Sequence, residues 1–68
     1  MVNTKALQEE MRKCGFTLDS LAKEICKSRT CLFNKIHNKN EFKASEIHKI
    51  SRIFKLKKVD INRIFFAH

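Results

Sequence analysis

Hydrophobic residues recur along this chain at helical spacing rather than in the strict alternation of a strand. Leu7, Met11 and Cys14 stand at positions i, i+4 and i+7, which predicts a first helix over about residues 4–14. Gly15 follows directly, and glycine readily adopts the left-handed conformation that ends helices. The start of the chain therefore predicts one amphipathic helix and its stop.

Two shorter helices are predicted next, each opened by a hydroxyl side chain. Thr17 is a good cap for a helix that ends near Cys26, and Ser28 is a good cap for a third helix over about residues 29–37. A very short connection separates the two helices. Their buried faces are predicted to consist of Leu18, Leu21, Ala22, Ile25, Leu32 and Ile36.

The second half of the chain continues the same rhythm. A polar stretch in which Asn38 or Asn40 suits a left-handed turn leads to a fourth helix over about 44–55 and a fifth over about 59–65. The chain has no proline to interrupt these segments. We therefore predict an all-α fold, a compact five-helix bundle that forms one domain over residues 1–68.

Length and composition narrow the class of protein. A chain of 68 residues, with 43% hydrophobic and 32% charged residues, can form one modest core. So small a domain has little material for a deep catalytic cleft, and we expect no enzyme activity. No apolar run is long enough to span a membrane, and the beginning of the chain lacks the pattern of a signal peptide.

The three cysteines, Cys14, Cys26 and Cys31, give an odd count. Without a signal peptide, that count favours free thiols in a reducing compartment, and we expect a cytoplasmic protein. The spacing of Cys26, Cys31 and His37 does not match the paired Cys-x-x-Cys spacing of structural zinc, so no metal or other cofactor is expected. Cys14 and Cys26 are predicted to be small buried residues.

Charge is distributed unevenly along the chain. Residues 1–25 contain four basic and four acidic residues, whereas residues 26–68 contain eleven basic and three acidic ones, so the whole net charge of +8 belongs to the second segment. Such a basic field favours a polyanionic partner, either nucleic acid or an anionic membrane surface.

The pair of helices between Thr17 and Lys39 favours DNA as the polyanionic partner. Two short helices joined by a tight turn must cross steeply, and Ala22 is the small residue that a close approach requires. The second helix of such a pair can project from the domain and enter the major groove of DNA, which is about 12 Å wide.

Five stretches of the chain resemble the XRE family, the Cro-like and phage-repressor-like helix-turn-helix domains. They are residues 15–25 (GFTLDSLAKEI), 28–32 (SRTCL), 35–42 (KIHNKNEF), 45–50 (SEIHKI) and 61–66 (INRIFF). The resemblance covers nearly the whole chain and is strongest to small stand-alone members from phages and prophages of low-GC Gram-positive bacteria.

The resemblance implies a lambda-repressor-like domain, usually a homodimer, that binds operator DNA and regulates transcription, as a repressor or a Cro-like switch. The helix-turn-helix would lie at about residues 17–37, with helix 29–37 in the major groove. Residues implied to face bases are Arg29, Thr30 and Asn34, to which Phe33 adds an apolar contact with a thymine methyl group. Residues implied to reach phosphates are Thr17, Ser28, Lys35, His37 and Lys39.

The chain departs from the family pattern in the turn. Leu18 stands where the family commonly has a phosphate-contacting glutamine, and Lys27 where an aliphatic residue is usual. Cys26 stands where the family has glycine, so we expect it in the left-handed region at a cost of about 1 kcal/mol.

Three phenylalanines leave alternatives open. Phe33 could contact DNA or a partner protein, or it could pack against the loop around Phe42. Phe65 and Phe66 are adjacent, and helical geometry turns them about 100° apart, so one of them should be exposed in the monomer. Both are candidates for a dimer interface.

Two other functions fit parts of the sequence. The same fold could serve as a protein-interaction module, including an antitoxin, that binds a protein through Phe33. Residues 43–66 are basic and apolar in helical rhythm, which also fits a cationic peptide that folds only on lipid. The basic residues of the fourth helix, Lys49, Arg52 and Lys55, could flank bound DNA or form a solvated face.

Overall fold

The computed structural model describes residues 2–26 and 28–66. Over these residues the all-helical prediction is confirmed: the chain forms five helices and no strand. The longest helices have ten residues, and no described helix is long and apolar enough to cross a membrane. The helices are α1 Thr4–Lys13, α2 Leu18–Ile25, α3 Arg29–Ile36, α4 Ala44–Ile53 and α5 Lys58–Phe65.

Local signals set most of the helix ends. The Asn3 side chain accepts a hydrogen bond from the Ala6 amide at 3.1 Å and so caps α1, and Gly15 follows α1 with a φ of +75°. The predicted end of the fourth helix at Lys55 is wrong by two residues. Lys55 has a φ of 54°, outside the helical region, so α4 ends at Ile53 and the chain turns toward α5.

Each of the five helices supplies one fully buried aliphatic side chain. These side chains form the centre of the core, around which the remaining apolar residues pack. They are Leu7, Leu21, Leu32, Ile50 and Ile64. Ile50 of α4 and Ile64 of α5, in the stretch that also fits a membrane-active peptide, are thus used in the interior of a folded domain.

The structure corrects two expectations about buried and exposed residues. Cys14 caps the end of α1 and is exposed rather than buried. Phe65 is buried, with its ring edge-on to Phe42 at 5.5 Å, so it is unavailable as an interface residue of the folded monomer. Phe66 is 52% exposed, which confirms that one of the two adjacent aromatic residues faces solvent.

The residues before α1 hold the end of α3 in place. Asn38, in the left-handed conformation that its position predicts, accepts a hydrogen bond from the Val2 amide at 2.8 Å and donates one to the Val2 carbonyl at 3.0 Å. The Thr4 hydroxyl donates to the Ile36 carbonyl at 2.7 Å. The Thr4 bond satisfies the last backbone carbonyl of α3, the Asn38 side chain satisfies the backbone of Val2, and together they fix the end of α3 against the start of the chain.

Candidate nucleic-acid interface

Each helix of the α2–α3 pair begins at a hydroxyl cap. The Thr17 hydroxyl accepts a hydrogen bond from the Ser20 amide at 3.1 Å, and the Ser20 hydroxyl accepts one from the Thr17 amide at 2.8 Å. The Ser28 hydroxyl accepts from the Cys31 amide at 3.1 Å and caps α3 in the same way. These bonds satisfy amides that a helix N-terminus leaves without internal partners, and they fix where each helix starts.

A small residue lies where the two helices approach each other. Ala22 is 4% exposed and lines a shallow depression together with Ser28 and Arg29, at the beginning of α3. A larger side chain at position 22 would push α3 outward. The family pattern led us to expect Cys26 in the left-handed region, and this expectation is wrong. The Cys26 backbone is extended, with φ −128° and ψ 163°, so the residue carries no left-handed strain. Lys27 lies outside the described residues.

One side of α3 faces solvent and the other faces the core. Thr30, Phe33 and His37 lie at positions i, i+3 and i+7 of one stripe and are all exposed. Leu32 and Ile36, on the opposite side, are almost completely buried. The helix therefore presents a polar and aromatic outer stripe on a rigid support.

Aromatic and cationic groups meet in the middle of this outer stripe. The Phe33 ring is 42% exposed and packs against the imidazole ring of His37, with their centroids 4.3 Å apart. The Lys39 ammonium lies 5.9 Å from the centre of the Phe33 ring, which is cation–π distance. The aromatic partner of Phe33 is thus His37, whereas that of Phe42 is Phe65. An apolar ring flanked by two nitrogen-bearing groups can contact a thymine methyl group while its neighbours reach phosphates.

Arg29 begins α3 beside an acidic residue of α2. Its guanidinium nitrogen Nε lies 3.6 Å from Oδ1 of Asp19, and both side chains are about two-thirds exposed. At this distance the contact is an ion pair and not a hydrogen bond, with Nε the donor nearest to Asp19. The other donors remain in position to bind two acceptors on a guanine edge, while Asp19 reduces the local positive field.

Lys35 is not a surface residue, so the prediction that it contacts phosphate is wrong. Its side chain is buried, and its ammonium donates a hydrogen bond to Oε2 of Glu46, on α4. The turn of the helix places Lys35 about 60° from Leu32 and hence on the buried side of α3. The hydrogen bond to Glu46 raises the pKa of the Lys35 ammonium and keeps that group charged.

Glu46 is held in the charged form by the same contact. Burial alone would raise the pKa of its carboxyl group, but hydrogen bonds from the Lys35 ammonium and from the Lys43 backbone amide outweigh burial and lower the pKa below 4.5. The pair fixes α3 against α4 without contributing charge to the outer surface.

The other proposed contact residues differ in how exposed they are and in whether their polar groups are already hydrogen-bonded. Ser28, His37 and Lys39 are exposed at the two ends of α3. Asn34 is half-buried, and its backbone carbonyl accepts from the Lys39 amide at 2.8 Å, which holds the loop after α3. Thr17 is exposed, but its hydroxyl both accepts from and donates to Ser20, so a phosphate would have to compete for it.

Sequence reasoning missed two residues that position this surface. Asp19 entered the sequence analysis only within the stretch 15–25 that carries the resemblance, yet it contacts Arg29. Glu46 was identified only through the resemblance, yet it neutralises Lys35. Neither pairing follows from local sequence, because each joins two helices. Among the described residues, no group of three or more His, Cys, Asp or Glu side chains is placed to hold a metal ion.

Comparison of the chain with protein-family models, with curated proteins and with solved structures found no match. The functional interpretation therefore depends on the residues of the chain itself.

Proposed function

We propose that this protein binds double-stranded DNA at specific sequences through a helix-turn-helix formed by α2 and α3, and that it regulates transcription. The observation that carries the proposal is the outer stripe of α3: exposed Thr30, Phe33 and His37, preceded by Arg29, on a helix whose other side is buried. Arginine suits the two acceptors of guanine, and a phenyl ring suits the methyl group of thymine.

The charge of the protein supports a nucleic-acid partner. A net charge of +8 on 68 residues attracts a polyanion at long range, and this attraction needs no specific contact. Exposed Lys39 lies directly after α3, where it can meet the DNA backbone next to the bases that α3 would contact. Specificity would come from the outer stripe and affinity largely from the charge.

The proposed active form is a homodimer in the cytoplasm. Phe66 is a large apolar residue that is half exposed at the end of α5, and its burial between two copies would remove apolar surface from water. A two-fold symmetric dimer presents two copies of α3 to one face of DNA, which predicts a palindromic operator.

Selection from a randomised pool of duplex DNA tests the proposal. The protein is incubated with the pool at near-physiological salt, and bound sequences are amplified and selected again. We expect enrichment of a palindrome whose half-sites are about 10 bp apart. Retained DNA without an enriched motif, together with a steep dependence on salt, would indicate only a basic surface and would contradict sequence-specific binding.

A protein partner is the second candidate, and the exposure of Phe33 favours it. The Phe33→Ala variant separates the two functions, since an exposed residue can be truncated with little change in thermal stability. We expect weaker binding to the selected DNA at an unchanged melting temperature. Unchanged DNA binding by Phe33→Ala would shift the assignment of this residue toward a protein interface.

A further inference from the structure

Two thiols flank the buried ion pair of the α2–α3 unit. The Cys26 sulfur lies 3.9 Å from Oε2 of Glu46, the same oxygen that accepts the hydrogen bond from Lys35. Cys31 precedes Lys35 by four residues on α3, so the two side chains lie on the same face of that helix. Both cysteines therefore lie beside the Lys35–Glu46 pair, five residues apart in the chain, one at the end of α2 and the other in the first turn of α3.

The two thiols are reduced and accessible. Cys26 and Cys31 are each partly buried, so a small reagent can reach them, and neither forms a disulfide. Cys26 caps the end of α2, and Cys31 lies in the first turn of α3. Any bond between them would join the two helices of the proposed DNA-binding unit directly across their turn.

We propose that Cys26 and Cys31 are a site of reversible oxidation, at which hydrogen peroxide converts the two thiols into an intramolecular disulfide. The Cys31 sulfur attacks one peroxide oxygen, the O–O bond breaks, and Cys31 becomes a sulfenic acid as one water is released. The Cys26 sulfur then displaces the hydroxyl group from the Cys31 sulfur, and its own proton leaves with that hydroxyl as a second water. The two thiols lose two electrons and the peroxide gains them.

The surroundings of Cys26 set the order of these steps. Burial, together with the hydrogen bond to Cys31, raises the pKa of the Cys26 thiol to about 11. Cys26 is thus a protonated thiol at neutral pH, and the thiolate is the nucleophilic form. Cys31 consequently reacts first with peroxide, and Cys26 is the thiol that completes the disulfide.

The effect on DNA binding rests on the proposed function. The two sulfurs, which are not bonded to each other, must lie about 2.05 Å apart in a disulfide. Cys31 shares the first turn of α3 with Arg29 and Thr30, so that turn shifts relative to α2 on oxidation. We expect oxidation to weaken binding to the selected operator by about ten-fold or more, and we expect a reducing agent to restore binding.

The disulfide is tested without DNA. The reduced full chain is treated with hydrogen peroxide and examined by intact mass and by alkylation of the remaining thiols. The wild type and the matched control Cys14→Ser should lose two hydrogen atoms per monomer and regain them with dithiothreitol. Cys26→Ser should stop at a sulfenic acid on Cys31 that a cyclic diketone traps, and Cys31→Ser should react least.

The proposal is overturned if the wild type keeps all its thiols, or if the bond that forms includes Cys14. Thermal unfolding monitors the fold of each variant, and Cys26→Ala replaces Cys26→Ser if serine lowers the melting temperature.

Binding to the selected operator is then measured separately on the oxidised and the reduced wild type. A disulfide in a protein that binds no DNA in either state would overturn only the proposed function. Operator binding without a disulfide would overturn only this inference.

Discussion

Helix α3 carries two ion pairs whose surroundings differ completely. Arg29 and Asp19 meet at 3.6 Å with both side chains largely exposed, whereas Lys35 and Glu46 meet with side chains that are 10% and 12% exposed. Solvent screens the first pair, so it contributes little to stability and leaves the guanidinium available for a ligand. The second pair is shielded from solvent, and the two charges neutralise each other. The same helix thus presents one cation to solvent and uses the other for its own attachment.

Removing the buried cation should have the largest effect. We expect Lys35→Met to lower the free energy of unfolding by about 3–5 kcal/mol, because it leaves the Glu46 carboxylate buried without its partner. Urea unfolding followed by circular dichroism measures the change. Lys39→Met, on the surface after α3, is the matched control and should change stability by less than about 0.5 kcal/mol.

A double variant sharpens this prediction. Lys35→Met combined with Glu46→Leu replaces both charges by apolar groups and should recover most of the lost stability. A single Lys35→Met variant as stable as the wild type would show that the pair does not fix α3 against α4.

Removing the exposed cation should leave stability unchanged and affect DNA binding. We expect Arg29→Ala to weaken binding to the selected operator by about 1–3 kcal/mol and to relax sequence preference at one position of each half-site. Fluorescence anisotropy on the operator and on single-base variants measures both effects. Lys39→Ala should instead weaken binding to all sequences alike and reduce the salt dependence by about one ion. Equal losses on every sequence for Arg29→Ala would contradict base recognition by Arg29.

The buried pair should also make stability depend on pH. The Glu46 pKa is lowered in the folded protein, so its contribution is present above the ordinary value of 4.5 and is lost as the pH falls through the lower, folded-state pKa. The Lys35 pKa is raised, so its contribution is present below 10.5 and is lost as the pH rises through the higher, folded-state pKa.

Thermal unfolding of the wild type and of Glu46→Gln across these two windows measures the pH dependence. We expect a steeper loss of melting temperature below pH 4.5 in the wild type than in the variant. Parallel curves for the two proteins would mean that Glu46 is not the carboxyl group responsible.

The smallest effect is expected from the acidic member of the exposed pair. Asp19→Asn removes the negative charge beside Arg29 and should tighten DNA binding by roughly two- to five-fold at low salt, with stability changed by less than about 0.5 kcal/mol. Glu9→Gln, an exposed position on α1, removes the same charge elsewhere and is the control. Equal gains in the two variants would indicate a long-range charge effect without a specific role for Asp19.

Local patterns in the sequence predicted the helices well. Helix caps and left-handed turns depend on a few neighbouring residues. The structure has the predicted caps at Thr17 and Ser28, the left-handed Gly15 after α1, and a left-handed residue at Asn38, one of the two asparagines proposed for that turn. Hydrophobic spacing likewise predicted that Leu32 and Ile36 would be buried. The end of α4 was missed because left-handed Lys55 carries no sequence signal comparable to glycine or asparagine.

The features that the sequence did not predict, namely the burial of Lys35 and the difference between Phe65 and Phe66, depend on contacts between helices. The resemblance implied a phosphate contact for Lys35, whereas the lysine is buried and paired with Glu46, a partner on another helix that the sequence did not indicate. Phe65 and Phe66 could not be told apart until the packing of Phe42 was known. Helical period predicts which side of a helix is apolar, whereas the partner of a polar group depends on how helices meet.

The attachments of the segment before α1 have a consequence for folding. The Asn3 amide donates to the Ile64 carbonyl at 2.6 Å, while Val2 is bound to Asn38. The first described residues are therefore joined both to the end of α3 and to α5, contacts whose partners are 36 and 61 residues apart in the chain, respectively. The Asn3 contact cannot form until α5 has docked, so the segment that holds the end of α3 should become fixed at both of its contacts only late in a single cooperative transition. In hydrogen exchange, the Val2 and Asn3 amides should exchange as slowly as those of the core, although they lie outside any helix.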